Sequence, residues 1–303
     1  MIRVNWKLFF VFCILLSGRI SISADAGDFV KDVKIKDFEI EIPNIQKESI
    51  GKNIDFYKLI SPEFPICHLE IHLYGGESSV GNLPIEIASI LSNSLKFGGS
   101  KKYPDESFNA KLEDLGAKFE IETDYRKIKI EISFLKKDQD EVLQLVSDLF
   151  QAPAFTENSI ANAKRKIIEQ IKRRNDSTDS VVFRKAKELL FKGMLAGKSY
   201  QIDSVEKIQK DNLLYYYNNM IQFGKKAILV SGSFEEIKMK SAFLGIFRSN
   251  ETMNGNFKEE LVELNSLRNN FEKYAYKNIL IEKSINQSAV LMTGFLPEHN
   301  HPD

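Results

Sequence analysis

The sequence predicts an α+β fold in which helices cover one side of a sheet, and three features carry that reading. In Lys127–Phe134 the apolar residues Ile128, Ile130, Ile132 and Phe134 alternate with Lys127, Lys129, Glu131 and Ser133, the pattern of a strand with one buried face. In Leu83–Lys96 the apolar residues Ile87, Ile90, Leu91 and Leu95 recur at three- and four-residue steps, as on a helix lying against a core. Along the chain, strands and helices interleave without strict βαβ alternation, which favours an α+β layer over a doubly wound parallel sheet.

After a charged lead-in, Lys31–Glu48, the segments Asp55–Ile60 and Ile66–Tyr74 read as strands, parted by a turn with two prolines, Pro62 and Pro65. The helix Leu83–Lys96 stops at Gly98-Gly99, and a second helix opens at Pro104 and closes at Gly116. Two alternating strands follow, Lys118–Thr123 and Lys127–Phe134. Helical patterns then dominate: Asp138–Phe150, Thr156–Arg174 with a Thr cap, Ser180–Phe191 and Asp211–Met220. Lys226–Ser231 is a buried-type strand ending at Gly232, and Glu235–Phe247 is its following helix. A polar interval, Arg248–Asn270, leads to two short apolar strands, Asn278–Glu282 and Ser288–Gly294. No helix follows to cover them, so they read as an unfinished sheet.

Composition excludes little but excludes it clearly. With 43% hydrophobic and 28% charged residues the chain can build ordinary cores, and its 303 residues suggest about two domains. Lys+Arg and Asp+Glu are both 42, so no excess of positive charge recommends nucleic acid as a partner. At the N-terminus, Arg3 and Lys7 precede the apolar run Leu8–Leu16 and the small-residue site Ala24-Asp25-Ala26. Nine apolar residues fall short of the ~20 that a membrane-spanning helix needs. The order matches a signal peptide over 1–26, and the expected location is exported, periplasmic in a bacterial host. Cys13 lacks the small residues that precede a lipoprotein cysteine, so no stable membrane anchor is expected. Removal of the signal leaves Cys67 as the one cysteine, which rules out an intrachain disulfide.

The block from Glu77 to Pro104, with FPICHLEIHLYGG before it and FNAKLEDLGAKFEIE after it, resembles the N-terminal half of the pitrilysin/insulinase family of zinc peptidases. The segments FKGMLAGKSYQIDSVEKIQKDNLLYYYNNM and AILVSGSFEEIKMKSAFLGIF extend the resemblance. It implies a family-type α/β repeat with a mostly antiparallel sheet over residues 27–250. A linker, 251–270, and the truncated start of a second repeat, 271–303, would follow. In that family the first helix carries the inverted zinc motif H-x-x-E-H. Anchoring on Phe97, Gly99, Ser100 and Tyr103-Pro104 puts its five positions on Ile90, Leu91, Ser92, Asn93 and Ser94. The family's third ligand, a glutamate on a later helix, falls on Gln170.

A catalytic zinc needs two imidazoles one helical turn apart, a third ligand and an open position for water. Ile90 has no donor atom, Ser94 and Gln170 offer neutral oxygens that zinc binds poorly, and the Asn93 amide cannot accept a proton at neutral pH. Neither Glu169, rotated ~100° from Gln170, nor Glu86, one turn before Ile90, restores a ligand set. The pair His68 and His72 lies four apart on a strand, ~13 Å from each other, too far to share an ion. His299 and His301 read as a chance pair, and the pairs Gly75-Gly76 and Gly98-Gly99 as turns without a phosphate-binding pattern. Lys164–Lys166 with Lys172–Arg174 reads as a solvated face, the alternative being contact with an acidic peptide or partner.

The degenerate positions Ile90, Asn93, Ser94 and Gln170 therefore imply no catalytic residue and no zinc or other cofactor. The resemblance implies a non-catalytic subunit that binds peptides or pairs, as a heterodimer, with a zinc-bearing homologue. Its alternatives are an active zinc endopeptidase with an atypical or downstream site, and a structural subunit of a larger complex.

Overall fold

The computed structural model describes residues 43–247, 260, 262–275, 277–282 and 288–294. The expected signal peptide, Cys13, His299 and His301 lie outside these residues.

Six strands form one mixed sheet: β1 (Gln46–Gly51), β2 (Ile54–Ile60), β3 (Ile66–Tyr74), β4 (Lys118–Thr123), β5 (Lys127–Leu135) and β6 (Lys226–Gly232). Their order across the sheet is β1-β2-β6-β3-β5-β4. Every pairing is antiparallel except β2 with β6. The registers align the apolar positions: Ile71 stands opposite Ile130 on one side and Ile228 on the other, and Leu69 opposite Ile132 and Val230. Because side chains alternate, this register puts all of them on one face, where they are buried. The other face carries His68, Glu70, Lys129 and Glu131, which are half-buried or exposed.

Nine helices are found among the described residues: α1 (Glu86–Gly98), α2 (Glu106–Asp114), α3 (Gln139–Gln151), α4 (Glu157–Arg173), α5 (Thr178–Leu190), α6 (Ile202–Lys207), α7 (Lys210–Phe223), α8 (Glu236–Ile246) and α9 (Leu264–Tyr274). α1 is central, packing against α4, α7 and the edge strand β4. Its Ile87, Ile90, Leu91 and Leu95 are fully buried, each such side chain worth roughly 1.5–3 kcal/mol of transfer free energy. Thr156 caps α4, its hydroxyl oxygen accepting from Ser159 N at 3.0 Å. The one-sided α+β layer is thus the observed architecture, and the expected central elements form within a few residues of their expected ends.

Three local expectations are corrected. β1 lies in the charged lead-in, where a polar edge strand shows no apolar alternation; its backbone pairs with β2 from Gln46↔Lys58 to Gly51↔Ile54. α9 occupies part of the polar interval expected as a linker. It buries no residue, although Leu264, Leu267, Phe271 and Tyr274 recur at helical three- and four-residue steps that the reading as a polar linker passed over, and Asn270 Nδ2 holds it to the carbonyl oxygens of Leu190 and Lys192, each at 2.9 Å. The late strands expected at Asn278–Glu282 and Ser288–Gly294 do not form among the described residues. The sheet already ends at β1 and β4, and these segments instead border a cavity of about 900 Å³ against Val182, Ala186 and Leu189 of α5. Val290 and Met292 are left exposed, at 84% and 90%.

Candidate functional site

The four degenerate positions are divided between core and surface. Ile90 and Ser94, one turn apart on α1, are both 0% exposed. Among the described residues Ser94 Oγ has no hydrogen-bond partner, an uncompensated buried hydroxyl. Asn93 faces outward between α1 and α4, its Nδ2 donating to Ser89 O at 2.7 Å while its Oδ1 accepts from Lys166 Nζ at 2.8 Å. The Lys166 ammonium also sits 5.6 Å from the Phe97 ring centroid. Gln170, one turn beyond Lys166 on α4, is exposed, as is Glu169. The structure therefore does not bring Ile90, Ser94 and Gln170 into one open polar site.

Zinc does not fit these residues. The donor set reduces to a buried serine hydroxyl and a surface amide, and the Asn93 oxygen already accepts from a cation. Among the described residues no three His, Cys, Asp or Glu side chains converge as a metal-binding group. His68 and His72 have separate partners on the outer sheet face. His68 Nδ1 meets Ser133 Oγ at 2.8 Å, and His72 Nε2 meets Glu70 Oε2 at 2.9 Å. Burial holds His72 below its ordinary pKa, against the pull of Glu70. Cys67 is fully buried, and burial pushes its thiol up to about 12, out of the reactive range.

The N-terminal half of α1 is closed by the loop around Tyr200. The Tyr200 hydroxyl donates to Glu77 Oε1. It also lies 2.7 Å from Ser89 Oγ, and because its single proton goes to Glu77, the serine donates. Burial, and then the adjacent Glu77 carboxylate, raise the phenol well above the usual tyrosine range. Glu86, 2% exposed, accepts from the backbone N–H of Gln201 at 2.6 Å, and Arg174 Nη1 donates to Tyr200 O at 2.6 Å. Glu260 adds a strap: its N–H donates to Ser78 O at 2.7 Å, and its carboxylate accepts from Leu195 N at 2.9 Å.

A polar strip consequently crosses α1 from α4 to the sheet edge. Lys166 contacts Asn93, and Lys96, three residues on, pairs with Glu120 of β4. Thr123 Oγ1 of β4 donates to Ser92 Oγ at 2.7 Å, fixing the edge strand to the helix. The outer backbone edge of β4 pairs with no strand among the described residues. Sequence reasoning placed Asn93 and Gln170 and singled out Lys166 as part of a basic face without its contact to Asn93, but missed Tyr200 and Glu77. The i−4 step from Gln170 marks Lys166, whereas Tyr200 and Glu77, 123 residues apart, carry no local signal of their contact.

Five similarities bear on this geometry. The insulinase family, peptidase family M16, matches residues 88–201. A Helicobacter pylori protein named non-peptidase homolog YmxG is 21% identical over 173 residues, which cover 56% of this chain and 40% of that protein. An uncharacterized zinc protease of Rickettsia felis is 20% identical over 157 residues, covering 51% of this chain and 38% of that protein. The chain thus spans well under half the length of these curated relatives. Among solved structures, a peptidase M16 inactive domain from Pseudomonas fluorescens superposes with a TM-score of 0.65 at 16% identity, covering 73% of this chain and 54% of that one. The first half of the periplasmic protease PqqL from Escherichia coli does so with a TM-score of 0.61 at 13% identity, covering 73% and 50%. At these identities the structures establish the fold.

Proposed function

We propose that this homologue of the insulinase (M16) peptidases is a non-catalytic member that binds peptides and partners a zinc-bearing homologue. The observation that carries the reading is the contact of Lys166 with Asn93. At the position that the resemblance assigns to the general base stands an amide whose oxygen is bound to an ammonium, while Ile90 and Ser94, to which it assigns the flanking ligands, are sealed in the core. A name of one relative, non-peptidase homolog, and the inactive domain among the solved structures support it.

Peptide binding is supported by the edge of β4, which pairs with no strand among the described residues. An extended peptide can add to such an edge through main-chain hydrogen bonds, with the strip over α1 offering side-chain contacts. The absent chemistry leaves any cleavage to another chain, which is the reason for a catalytic partner. Export to the periplasm belongs to the same proposal, since PqqL, whose first half shares this fold, is a periplasmic protease.

Elemental analysis of the purified chain should find no stoichiometric zinc, and assays with unstructured peptides should find no cleavage. About one zinc per chain with chelator-sensitive proteolysis would overturn the reading. Pull-down from a native extract should retrieve a zinc-bearing homologue whose peptide turnover rises when this protein is added. Retrieval of no such homologue, with no change in turnover, would remove the partnership.

A further inference from the structure

Residues 164–174, KRKIIEQIKRR, hold six basic side chains and a single acid, Glu169. From Lys166 the residues Gln170, Arg173 and Arg174 follow at i+4, i+7 and i+8, so they share one face of α4 and its C-terminal end. That face begins at Asn93 and ends at Tyr200.

The bonding of these cations differs from that of several other lysines. Lys102 pairs with Asp148 at 3.4 Å, Lys129 with Glu122 and Glu131 at 3.2 and 2.7 Å, and Lys238 with Asp140 at 2.8 Å. Along 164–174, by contrast, the partners are neutral oxygens. Lys164 donates to Glu206 O at 3.0 Å, Arg165 to Asn162 Oδ1 at 2.9 Å, Lys166 to Asn93 Oδ1 and Arg174 to Tyr200 O. Among the described residues none of the six makes an ion pair, and Lys166, Lys172 and Arg173 are exposed. A carbonyl oxygen orients a cation without cancelling its charge, so this face keeps a positive field beside α1. The position that holds a metal cation in the zinc peptidases is here flanked by organic ones.

We infer that the ligand of this site is an acidic peptide segment, whose Asp or Glu carboxylates pair with Lys166 and Arg173 while the chain lies over α1 toward the edge of β4. This rests on the peptide-binding reading above and names the substrate class within it. A carboxylate on Lys166 replaces a neutral acceptor by a charged one, and the guanidinium of Arg173 can take a carboxylate through two parallel hydrogen bonds.

The test compares fluorescently labelled ten-residue peptides, one bearing three Glu and its twin bearing Gln at the same places, binding to the full chain by anisotropy. The Glu peptide should bind roughly tenfold more tightly at low salt, and the preference should shrink as salt is raised. The variant K166E/R173E should reverse the preference and K166Q/R173Q abolish it, with unchanged melting since both residues are exposed. Equal binding of the twins would overturn this inference and leave general peptide binding standing. Binding of neither would overturn both. A single-stranded oligonucleotide that binds as tightly as the Glu peptide would also overturn it, by showing a site for polyanions of any kind.

Discussion

The Lys166 ammonium of α4 donates to Asn93 Oδ1 of α1 over 2.8 Å, joining two residues 73 positions apart at the place to which the resemblance to the zinc peptidases assigns the base of the inverted motif. Restoring the ligands therefore means contending with this cation. The quadruple variant Ile90→His, Asn93→Glu, Ser94→His and Gln170→Glu should acquire zinc affinity, and adding Lys166→Met should tighten it by roughly tenfold by removing an adjacent like charge. Because positions 90 and 94 are fully buried, the metal-free variant should melt lower and regain stability with zinc. Titration calorimetry and thermal melting read both effects. If both variants fold and neither binds zinc better than the parent, the register on the two helices is wrong.

Lys226 gives a stability test at alkaline pH. The residue is 2% exposed at the start of β6, and burial lowers its amine to about 8 from the ordinary 10.5. Between those values the unfolded chain binds more protons, so stability from this residue rises with pH; below pH 8 the full penalty is present. Lys226→Met should stabilise the fold by about 2–3 kcal/mol at pH 7, and that advantage should shrink toward pH 10.5. Denaturant unfolding of both proteins across this range decides it, a pH-independent difference counting against the assignment.

Glu188 gives the acid counterpart. Burial alone would raise its carboxyl, but hydrogen bonds from Lys185, Ser199 and Arg184 outweigh it and hold the group down at about 2. The stabilisation is present above its ordinary 4.5 and is lost as pH falls toward 2. Since the side chain is 26% exposed, screening reduces the effect, and Glu188→Gln should cost about 1–2 kcal/mol at neutral pH. The wild type and the variant should converge only as the pH falls to about 2; parallel stability curves would show that the cluster is not coupled to folding.

Gly99 ends α1 at φ 57°, ψ −145°, and a Cβ there would lie 2.3 Å from Phe108 Cβ and 2.6 Å from Tyr103 O. Gly99→Ala should therefore cost about 2–4 kcal/mol. Gly116, also at positive φ but facing open space, is the control, and its alanine variant should cost about 1 kcal/mol. Equal losses would mean that the end of α1 relaxes freely.

Export can be checked on the intact gene product. Mass spectrometry of protein from a bacterial host should find a mature N-terminus near Gly27 in the periplasmic fraction. Intact protein beginning at Met1 in the cytosol would refute the signal peptide.

The sequence by itself determined the layer class and most of the central elements. Those properties are written in short windows: the alternation of Ile128, Ile130, Ile132 and Phe134, and the helical step of Ile87, Ile90, Leu91 and Leu95. Tertiary structure alone decided that Ile90 and Ser94 are sealed in the core while Gln170 reaches solvent, and that Lys166 takes the Asn93 oxygen. It also decided that Tyr200 closes over Ser89 and Glu77, and that a polar lead-in supplies the edge strand β1. Periodicity reports which face of an element is buried, because burial repeats with the backbone's own period. The partner met on the other face depends on how distant elements pack, which no local pattern encodes.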